Sequence, residues 1–190
     1  MAPNAGILRC AWFSLALLWG AAEGFLFFVV PDVIISLVAL RRGFRIGVIA
    51  ALLAATGAMI GGSAMYGWSV RNPAAARAAV VAVPAVSEPM IAKADADMSR
   101  DGWLVAALKG PLTSTPYKVY AMLAPAQGAS LPAWAAAAFP VRLPRFLLVA
   151  VGFAILGRLL QGRIPPRMLL GAFAFGWALF YGWFWFGHPN

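Results

Sequence analysis

Two carboxylates lie inside a long apolar stretch near the start of the chain. Glu23 and Asp32 are separated by Gly-Phe-Leu-Phe-Phe-Val-Val-Pro, and mainly apolar residues continue after Asp32. A carboxylate at membrane depth is costly unless it is paired with a cation, hydrated or protonated, so acids in such positions are rare without a function. Glu23 and Asp32 are therefore the first candidates for functional residues.

Composition indicates that these acids belong to an integral membrane protein. Of the 190 residues, 63% are hydrophobic and 11% are charged, and the mean hydropathy is +0.82. A soluble domain is closer to half apolar and a quarter charged. The length suits about four to six apolar segments of roughly 20 residues each. We therefore expect a multi-pass protein of the cell (inner) membrane whose partners include membrane lipids.

The net charge of +9 does not indicate nucleic-acid binding. In so apolar a chain, basic residues mark cytoplasmic loop ends and contacts with anionic headgroups. No basic run is interleaved with exposed aromatic residues, as a nucleic-acid surface would require. The single cysteine, Cys10, excludes an internal disulfide and a multi-cysteine metal site. We expect no nucleic acid, no metal and no other cofactor.

The apolar run over residues 12–40 should break near Pro31. The run is too long for one span and has no polar linker that would divide it into two. Proline removes a backbone hydrogen bond and disfavours helical geometry at the preceding residue, and broken backbone in a bilayer must be buried in protein or line a wet cavity. We predict a re-entrant hairpin over about residues 22–40. The alternative is an ordinary spanning helix whose acids lie near a headgroup.

A second apolar region repeats this pattern. Prolines at Pro111 and Pro116 interrupt it, and Lys118 lies beside the break, so we predict a second re-entrant hairpin over about residues 103–131. The other predicted segments are an N-terminal apolar helix at 1–21, transmembrane helices at 46–68, 141–160 and 168–186, and an extracytoplasmic loop at 71–102. Within that loop, the alanine-rich residues 74–82 predict a surface helix, and the charges that follow predict a solvated face.

The predicted span at 46–68 carries a face of small residues, namely Gly57, Gly61, Gly62, Ser63 and Ala64. Small side chains let another helix approach closely. We expect this face to make a helix contact. Such faces also permit a homodimer without requiring one.

Clusters of arginine predict the orientation. Residues 41–45 and 158–167 each carry three arginines and no acid, whereas the charges of the 71–102 loop cancel. The positive-inside bias places both clusters in the cytoplasm and the loop outside. The two hairpins then enter from opposite sides, each followed by one long span. We predict an all-α integral membrane protein built as an inverted repeat with an added C-terminal transmembrane helix, an arrangement typical of transporters.

Four motifs follow one another between residues 22 and 160. They are Glu23-x8-Asp32 with Pro31 before the acid, Gly61-Gly62 with Tyr66-Gly67, Thr113-Ser114-Thr115-Pro116-Tyr117-Lys118-Val119, and Arg142-x-x-Arg145-Phe146. In this order they resemble the DedA family, also called VTT or SNARE-associated membrane proteins, and the YqaA-like branch in particular.

The resemblance implies two re-entrant loops that face each other and a role in moving lipids, either undecaprenyl phosphate or phospholipid, between leaflets, often driven by protons. The family's acidic pair corresponds to Glu23 and Asp32, and its basic pair to Arg142 and Arg145. We hypothesise that these arginines, together with Lys118, hold a lipid phosphate, because guanidinium binds phosphate oxygens bidentately. The two acids would pair with the arginines in the empty state and accept protons when phosphate displaces them.

The chain departs from the family pattern in three places. Val29-Val30-Pro31 stands where relatives have a proline-richer turn, Ser114 stands where a proline is expected, and Leu143-Pro144 separates the arginines where glycine is commoner. These differences indicate a divergent or specialised member of the family that the motifs resemble.

Two other functional classes remain open. A non-catalytic membrane scaffold would use the four charges only to hold the hairpins together. An intramembrane enzyme would need a nucleophile with a base, yet Ser36, Ser63, Thr113 and Ser114 have no evident base and no histidine lies in the spans. We expect a transporter rather than an enzyme.

Overall fold

The computed structural model of the chain describes residues 5–187, and every regular element in that range is helical. The α-helices of this range are α1 (Ala5–Phe25), α2 (Asp32–Arg42), α3 (Phe44–Arg71), α4 (Pro73–Val81), α5 (Glu88–Asp101), α6 (Trp103–Lys109), α7 (Tyr117–Leu123), α8 (Leu131–Leu160) and α9 (Pro166–Gly187). A 3-10 turn, Gly110–Leu112, continues α6. The all-α part of the predicted fold class is confirmed.

Two helices in the described part of the chain are long and apolar enough to cross a membrane. They are α3, with 28 residues and a mean hydropathy of 1.8, and α8, with 30 residues and a mean hydropathy of 1.9. A span needs about 20 predominantly apolar residues, so both meet the requirement. The architecture is compatible with a helical membrane protein.

Helices α1 and α3 pack against each other in parallel along a seam of small residues. A Cβ added to Gly57 would lie 2.0 Å from the carbonyl oxygen of Leu17, and one added to Gly61 would lie 2.0 Å from that of Ala21. Only glycine allows two backbones to approach this closely. The predicted small-residue face therefore makes its helix contact within the chain, with α1.

The parallel arrangement of α1 and α3 sets the course of α2. The end of α1 lies beside Gly61, more than halfway along α3, so the chain must return along α2 before α3 can begin at Phe44. The last turn of α2 ends at Gly43, whose φ of 81° is a left-handed conformation that glycine adopts without strain. Helices α1, α2 and α3 thus form one packed unit. The non-helical stretch between α1 and α2 lies inside this unit.

Helix α8 begins ten residues earlier than the span predicted at 141–160, at Leu131. It runs through Pro140 and Pro144 without ending, although each proline removes one helical hydrogen bond. Packing of α8 against α2 and α3 offsets this loss, since the buried residues Trp134, Val141 and Phe146 anchor both sides of the prolines. The helix therefore extends across the boundary expected at residue 141.

The segment 71–102 is largely helical. Asn72 caps α4, since its side-chain oxygen accepts a hydrogen bond from the Ala75 backbone N–H at 3.0 Å, and this helix matches the predicted one at 74–82. Helix α5 was not predicted, although Ser87 before Glu88 and Pro89 is a typical helix start. Its Ile91, Ala94 and Met98 are buried, so the charged stretch has an inward face as well as the predicted solvated one.

The core has two parts along the long helices. One is built from α1, α2 and the first half of α3 together with the middle of α8. The other gathers α4 to α7 around the second half of α3 and the start of α8. The two helix breaks, at residues 26–31 and 110–116, lie where these two parts meet.

Candidate functional site

At the first break, between α1 and α2, side chains form hydrogen bonds with backbone groups that have no helical partner. The indole Nε1 of Trp19 donates to the carbonyl oxygen of Val29 at 3.0 Å, and the backbone N–H of Val30 donates to the hydroxyl oxygen of Tyr181 at 2.9 Å. Buried backbone groups must find such partners. Asp32 then starts α2, where the positive end of the helix dipole favours a carboxylate.

The second break, between α6 and α7, contains a left-handed residue. The 3-10 turn ends at Leu112, Ser114 has a φ of 58°, and Pro116 is extended before α7 starts at Tyr117. Because proline fixes φ near −65°, it could not occupy position 114 in this conformation. The conformation of this turn therefore requires a residue other than proline at position 114, where the chain has serine.

Both breaks approach α3 at Gly62. A Cβ added to Gly24, near the end of α1, would lie 3.1 Å from the backbone nitrogen of Gly62. A Cβ added to Gly62 would in turn lie 2.6 Å from the ring of Tyr117, the first residue of α7. The absence of a side chain at Gly62 is thus what allows the two breaks to come together.

Five charged side chains from four helices meet at this point. Arg142 Nη2 lies 2.6 Å from Glu23 Oε2, and Lys118 Nζ lies 3.8 Å from Glu23 Oε1. Arg145 Nη2 lies 2.6 Å from Asp32 Oδ2. Lys118 Nζ also donates to the carbonyl oxygen of Phe27 at 3.1 Å, so α7 is bonded directly to the backbone of the first break.

Burial differs sharply across the cluster. Glu23, Asp32, Lys118 and Arg142 are all buried, whereas the Arg145 side chain is 38% exposed. Charges removed from water are stable only when they are paired and hydrogen-bonded, which explains the short contacts. Arg145 is the cationic member of the cluster that an arriving anion would meet first.

Aromatic rings fix the position of Arg142. Its guanidinium lies 5.4 Å from the ring centroid of Tyr117 and 4.8 Å from that of Phe146, distances at which a cation is attracted to a π face. Tyr117 in turn stacks on Trp134, with centroids 5.3 Å apart and an interplanar angle of 12°. The sequence motif predicted Arg142 as a site residue, but it gave no sign of this aromatic support.

A cavity of about 160 Å³ separates the two breaks. Residues of both breaks line it, together with Glu23, Lys118, Arg142 and Arg145. This volume has room for several waters. It is also smaller than the roughly 300 Å³ at which pockets for drug-sized ligands begin. The cavity therefore fits a small polar group rather than a whole lipid.

The charges of the cluster are not balanced. Three cations, Lys118, Arg142 and Arg145, face two carboxylates, Glu23 and Asp32, so one positive charge is left over. One hydrogen-bond donor is also unused, because Arg142 Nε is buried and has no hydrogen-bond partner among the described residues. This arrangement is suited to accept an anion that supplies several acceptor oxygens.

Helix α9 contributes part of the cavity wall that the sequence did not reveal. Phe180, Tyr181 and Phe184 line the cavity, and the Tyr181 hydroxyl accepts the bond from Val30 described above. The sequence predicted α9 only as a C-terminal transmembrane helix. Its periodic aromatic residues at positions 177, 180, 181 and 184 were the available signal, because they place several rings on one face.

The predicted site residues are distributed around the cavity as follows. Glu23, Lys118, Arg142, Arg145, Pro111 and Pro116 line it, while Asp32 and Pro31 lie just beyond, with Asp32 joined to the cavity through Arg145. Among the described residues, no three His, Cys, Asp or Glu side chains converge as metal ligands would.

A second group of charges outside the long helices joins α5 to α6. Arg100 Nε lies 2.9 Å from Asp101 Oδ1, and Lys109 Nζ lies 2.8 Å from Asp101 Oδ2. Hydrogen bonds from Arg100 and Lys109 hold the pKa of the Asp101 carboxyl well below its usual range. This group joins the end of α5 to α6 outside the site.

Comparisons of the chain with protein-family models, with curated proteins and with solved structures found no match.

Proposed function

We propose that this protein moves a phosphate-bearing lipid between the two leaflets of a membrane. The observation that carries the proposal is the small cavity between the two helix breaks, lined by one carboxylate and three cations. A lipid phosphate is an anion with several acceptor oxygens, and this lining matches both its charge and its hydrogen-bonding pattern.

In this proposal the two breaks are the turns of re-entrant hairpins. They meet beside Gly62, well inside the 28-residue helix α3, which would put the cavity near the middle of a bilayer spanned by α3. Broken helices that enter from opposite sides and meet at the midplane form the binding sites of inverted-repeat transporters. Membership of the DedA family, as a divergent member, is part of the proposal and rests on the sequence motifs.

The phosphate would first contact Arg145, which is the exposed cation, and would then reach Arg142 and Lys118. Guanidinium groups would replace the water lost by the phosphate, while the apolar tail stays in the hydrocarbon outside the cavity. Its small volume excludes the tail. Glu23 and Asp32 would lose their cationic partners to the phosphate and take up protons, which would couple lipid movement to a proton gradient.

One observation favours a second candidate, a membrane scaffold without transport. In the structure each carboxylate already has a guanidinium nitrogen at 2.6 Å, so the charges hold the hairpins together without any ligand. A purely structural cluster would, however, have no need of the extra cation or of the cavity. We therefore rank the scaffold second.

Leaflet exchange of labelled lipids in proteoliposomes tests the proposal. The purified chain should exchange polyprenyl phosphate or phosphatidylethanolamine faster than empty liposomes do, and it should not exchange a phosphate-free glycolipid. Rates equal to those of empty liposomes, with and without a proton gradient and with folded protein confirmed, would favour the scaffold instead.

A further inference from the structure

A second and larger cavity lies at the C-terminal end of α8. It measures about 1160 Å³ and opens between two turns, the one that joins α2 to α3 and the one that joins α8 to α9. It shares no lining residue with the cavity between the helix breaks. We call it the basic groove.

Close backbone packing brings the two turns together. A Cβ added to Gly157 in α8 would lie 2.4 Å from the carbonyl oxygen of Leu40, near the end of α2. The last turn of α8 therefore lies directly against the last turn of α2, and the arginines of both turns face the same space. The juxtaposition is built into the fold and does not depend on the flexible side chains.

Four arginines line the basic groove, namely Arg41, Arg42, Arg158 and Arg163. All four are exposed, no acid lines the groove, and none of the four forms an ion pair within the described residues. Arg163 donates to the carbonyl oxygen of Leu159, which holds it at the turn. The groove thus concentrates four positive charges with no compensating carboxylate.

The wall of the groove beneath these arginines is apolar. Val151 and Ile155 of α8 and Leu169 of α9 line it, and Ile155 is 55% exposed. A site for a free inorganic anion has no use for an open apolar wall next to its cations. A lipid needs both, because its headgroup is charged and its acyl chains are not.

We propose that the basic groove binds the phosphate headgroup of an anionic membrane lipid, with the acyl chains along the α8 and α9 wall. The groove is a binding site separate from the cavity between the breaks, and its occupant stays bound rather than crossing the membrane. The inference relies on the membrane embedding proposed above, and it does not rely on lipid translocation.

Native mass spectrometry of the purified full chain in detergent tests this proposal, with phosphatidylglycerol as the probe and zwitterionic phosphatidylcholine as the reference. The variant Arg42→Gln/Arg158→Gln removes two groove charges. The matched control Arg45→Gln/Arg167→Gln removes two exposed arginines that belong to the same two clusters but do not line the groove. We expect phosphatidylglycerol to bind more tightly than phosphatidylcholine, with affinity roughly thirtyfold lower in the groove variant and within about twofold of wild type in the control.

Each other outcome overturns the proposal. Equal losses in both double variants would mean general surface attraction, and equal affinity for the two lipids would remove the role of charge. Full competition by millimolar inorganic phosphate would identify a soluble-anion site. If the first variant does not elute as a folded species, Arg41→Gln/Arg163→Gln removes the other two groove charges and must give the same loss.

The result separates this inference from the proposed function. Variants of Arg145 should keep full phosphatidylglycerol binding at the groove, because Arg145 lines only the other cavity. Failure of lipid exchange with intact groove binding would refute translocation and leave this inference standing.

Discussion

Among the single residues of the charged cluster, the Glu23 carboxylate is the one that pairs with two cations. Glu23 contacts both Arg142 and Lys118, and all three side chains are buried. Removing one member of a buried ion pair costs more stability than the pair itself contributes, because the remaining charge stays buried without a partner or water. Removal of Glu23 should therefore be the most damaging single neutralisation in the cluster.

The variant Glu23→Gln should lower the free energy of unfolding by about 3–5 kcal/mol, because two buried cations lose their counter-ion. Thermal unfolding in detergent measures this as a lower midpoint. Glu88→Gln is the matched control, since its ion pair with Arg77 at 2.5 Å is exposed and should contribute about 1 kcal/mol or less. Equal effects of the two substitutions would show that the Glu23 contacts are not buried ion pairs.

Tyr117 contributes through its ring rather than its hydroxyl. The hydroxyl is buried without a hydrogen-bond partner among the described residues, whereas the ring packs against Trp134 and Arg142. Tyr117→Phe should therefore leave the unfolding midpoint unchanged or raise it, because no bond is lost and a desolvated hydroxyl is removed. Tyr117→Ala should lower the midpoint, since truncating a buried aromatic residue costs about 3–5 kcal/mol. A clear loss in the phenylalanine variant would contradict this.

At the scale of helices, local signals in the sequence predicted where the chain breaks. Pro31, Pro111 and Pro116 each act on the adjacent backbone, so the ends of α1 and α6 and the starts of α2 and α7 fall near the predicted turns. The same rule does not produce a break at Pro140 and Pro144, where tertiary packing keeps α8 continuous. Local chemistry predicts a break only where nothing nearby compensates for the lost hydrogen bond.

Because α1 packs closely against only some glycines of α3, alanine substitutions in α3 should differ in their effect on stability. Gly61→Ala should destabilise the protein by about 1–3 kcal/mol or more, because the new methyl group would overlap the Ala21 carbonyl. Gly67→Ala in the same helix has nothing within 4 Å of the new Cβ and should stabilise it by up to about 1 kcal/mol. Unfolding midpoints of the two variants that move in the same direction would contradict the described packing.

The stability of the junction between α5 and α6 should depend on pH. The pKa of Asp101 is depressed in the folded state, so its stabilising contribution is present above the ordinary value of 3.8 and is lost as the pH falls towards the folded pKa. Hydrogen exchange of the α5 amides should therefore be slower at pH 7 than at pH 3, after correction for intrinsic rates. Asp101→Asn should remove most of that difference; an unchanged difference would assign it to other carboxylates.

At the scale of the whole molecule, the site is made by contacts that no local pattern specifies. The bond between Val30 and Tyr181 joins residues 151 positions apart, and Arg142 pairs with Glu23 across 119 positions. The charged residues could be chosen from the sequence because acids and paired arginines are conspicuous in apolar segments. Their partners, the cavity between them and the wall that α9 provides follow from tertiary packing, so sequence alone could not give them.

Binding of a lipid phosphate in the cavity is tested most directly by lipid exchange in a variant that removes one ion pair of the site without leaving a buried charge. Asp32→Asn/Arg145→Gln neutralises both partners, and removing both members of a buried pair is often nearly neutral for stability. Arg77→Gln/Glu88→Gln is the matched control, because it neutralises an exposed pair neither of whose members lines the cavity.

Exchange of labelled polyprenyl phosphate and phosphatidylethanolamine would be measured in proteoliposomes, with unfolding midpoints recorded for each protein. We expect the site variant to exchange lipid at least about tenfold more slowly, which corresponds to the loss of one charged phosphate contact of roughly 1.5–3 kcal/mol, while its midpoint stays close to that of wild type. The control should exchange at the wild-type rate. A site variant that is equally stable and exchanges lipid as fast as wild type would contradict the claim that this cavity carries the lipid phosphate.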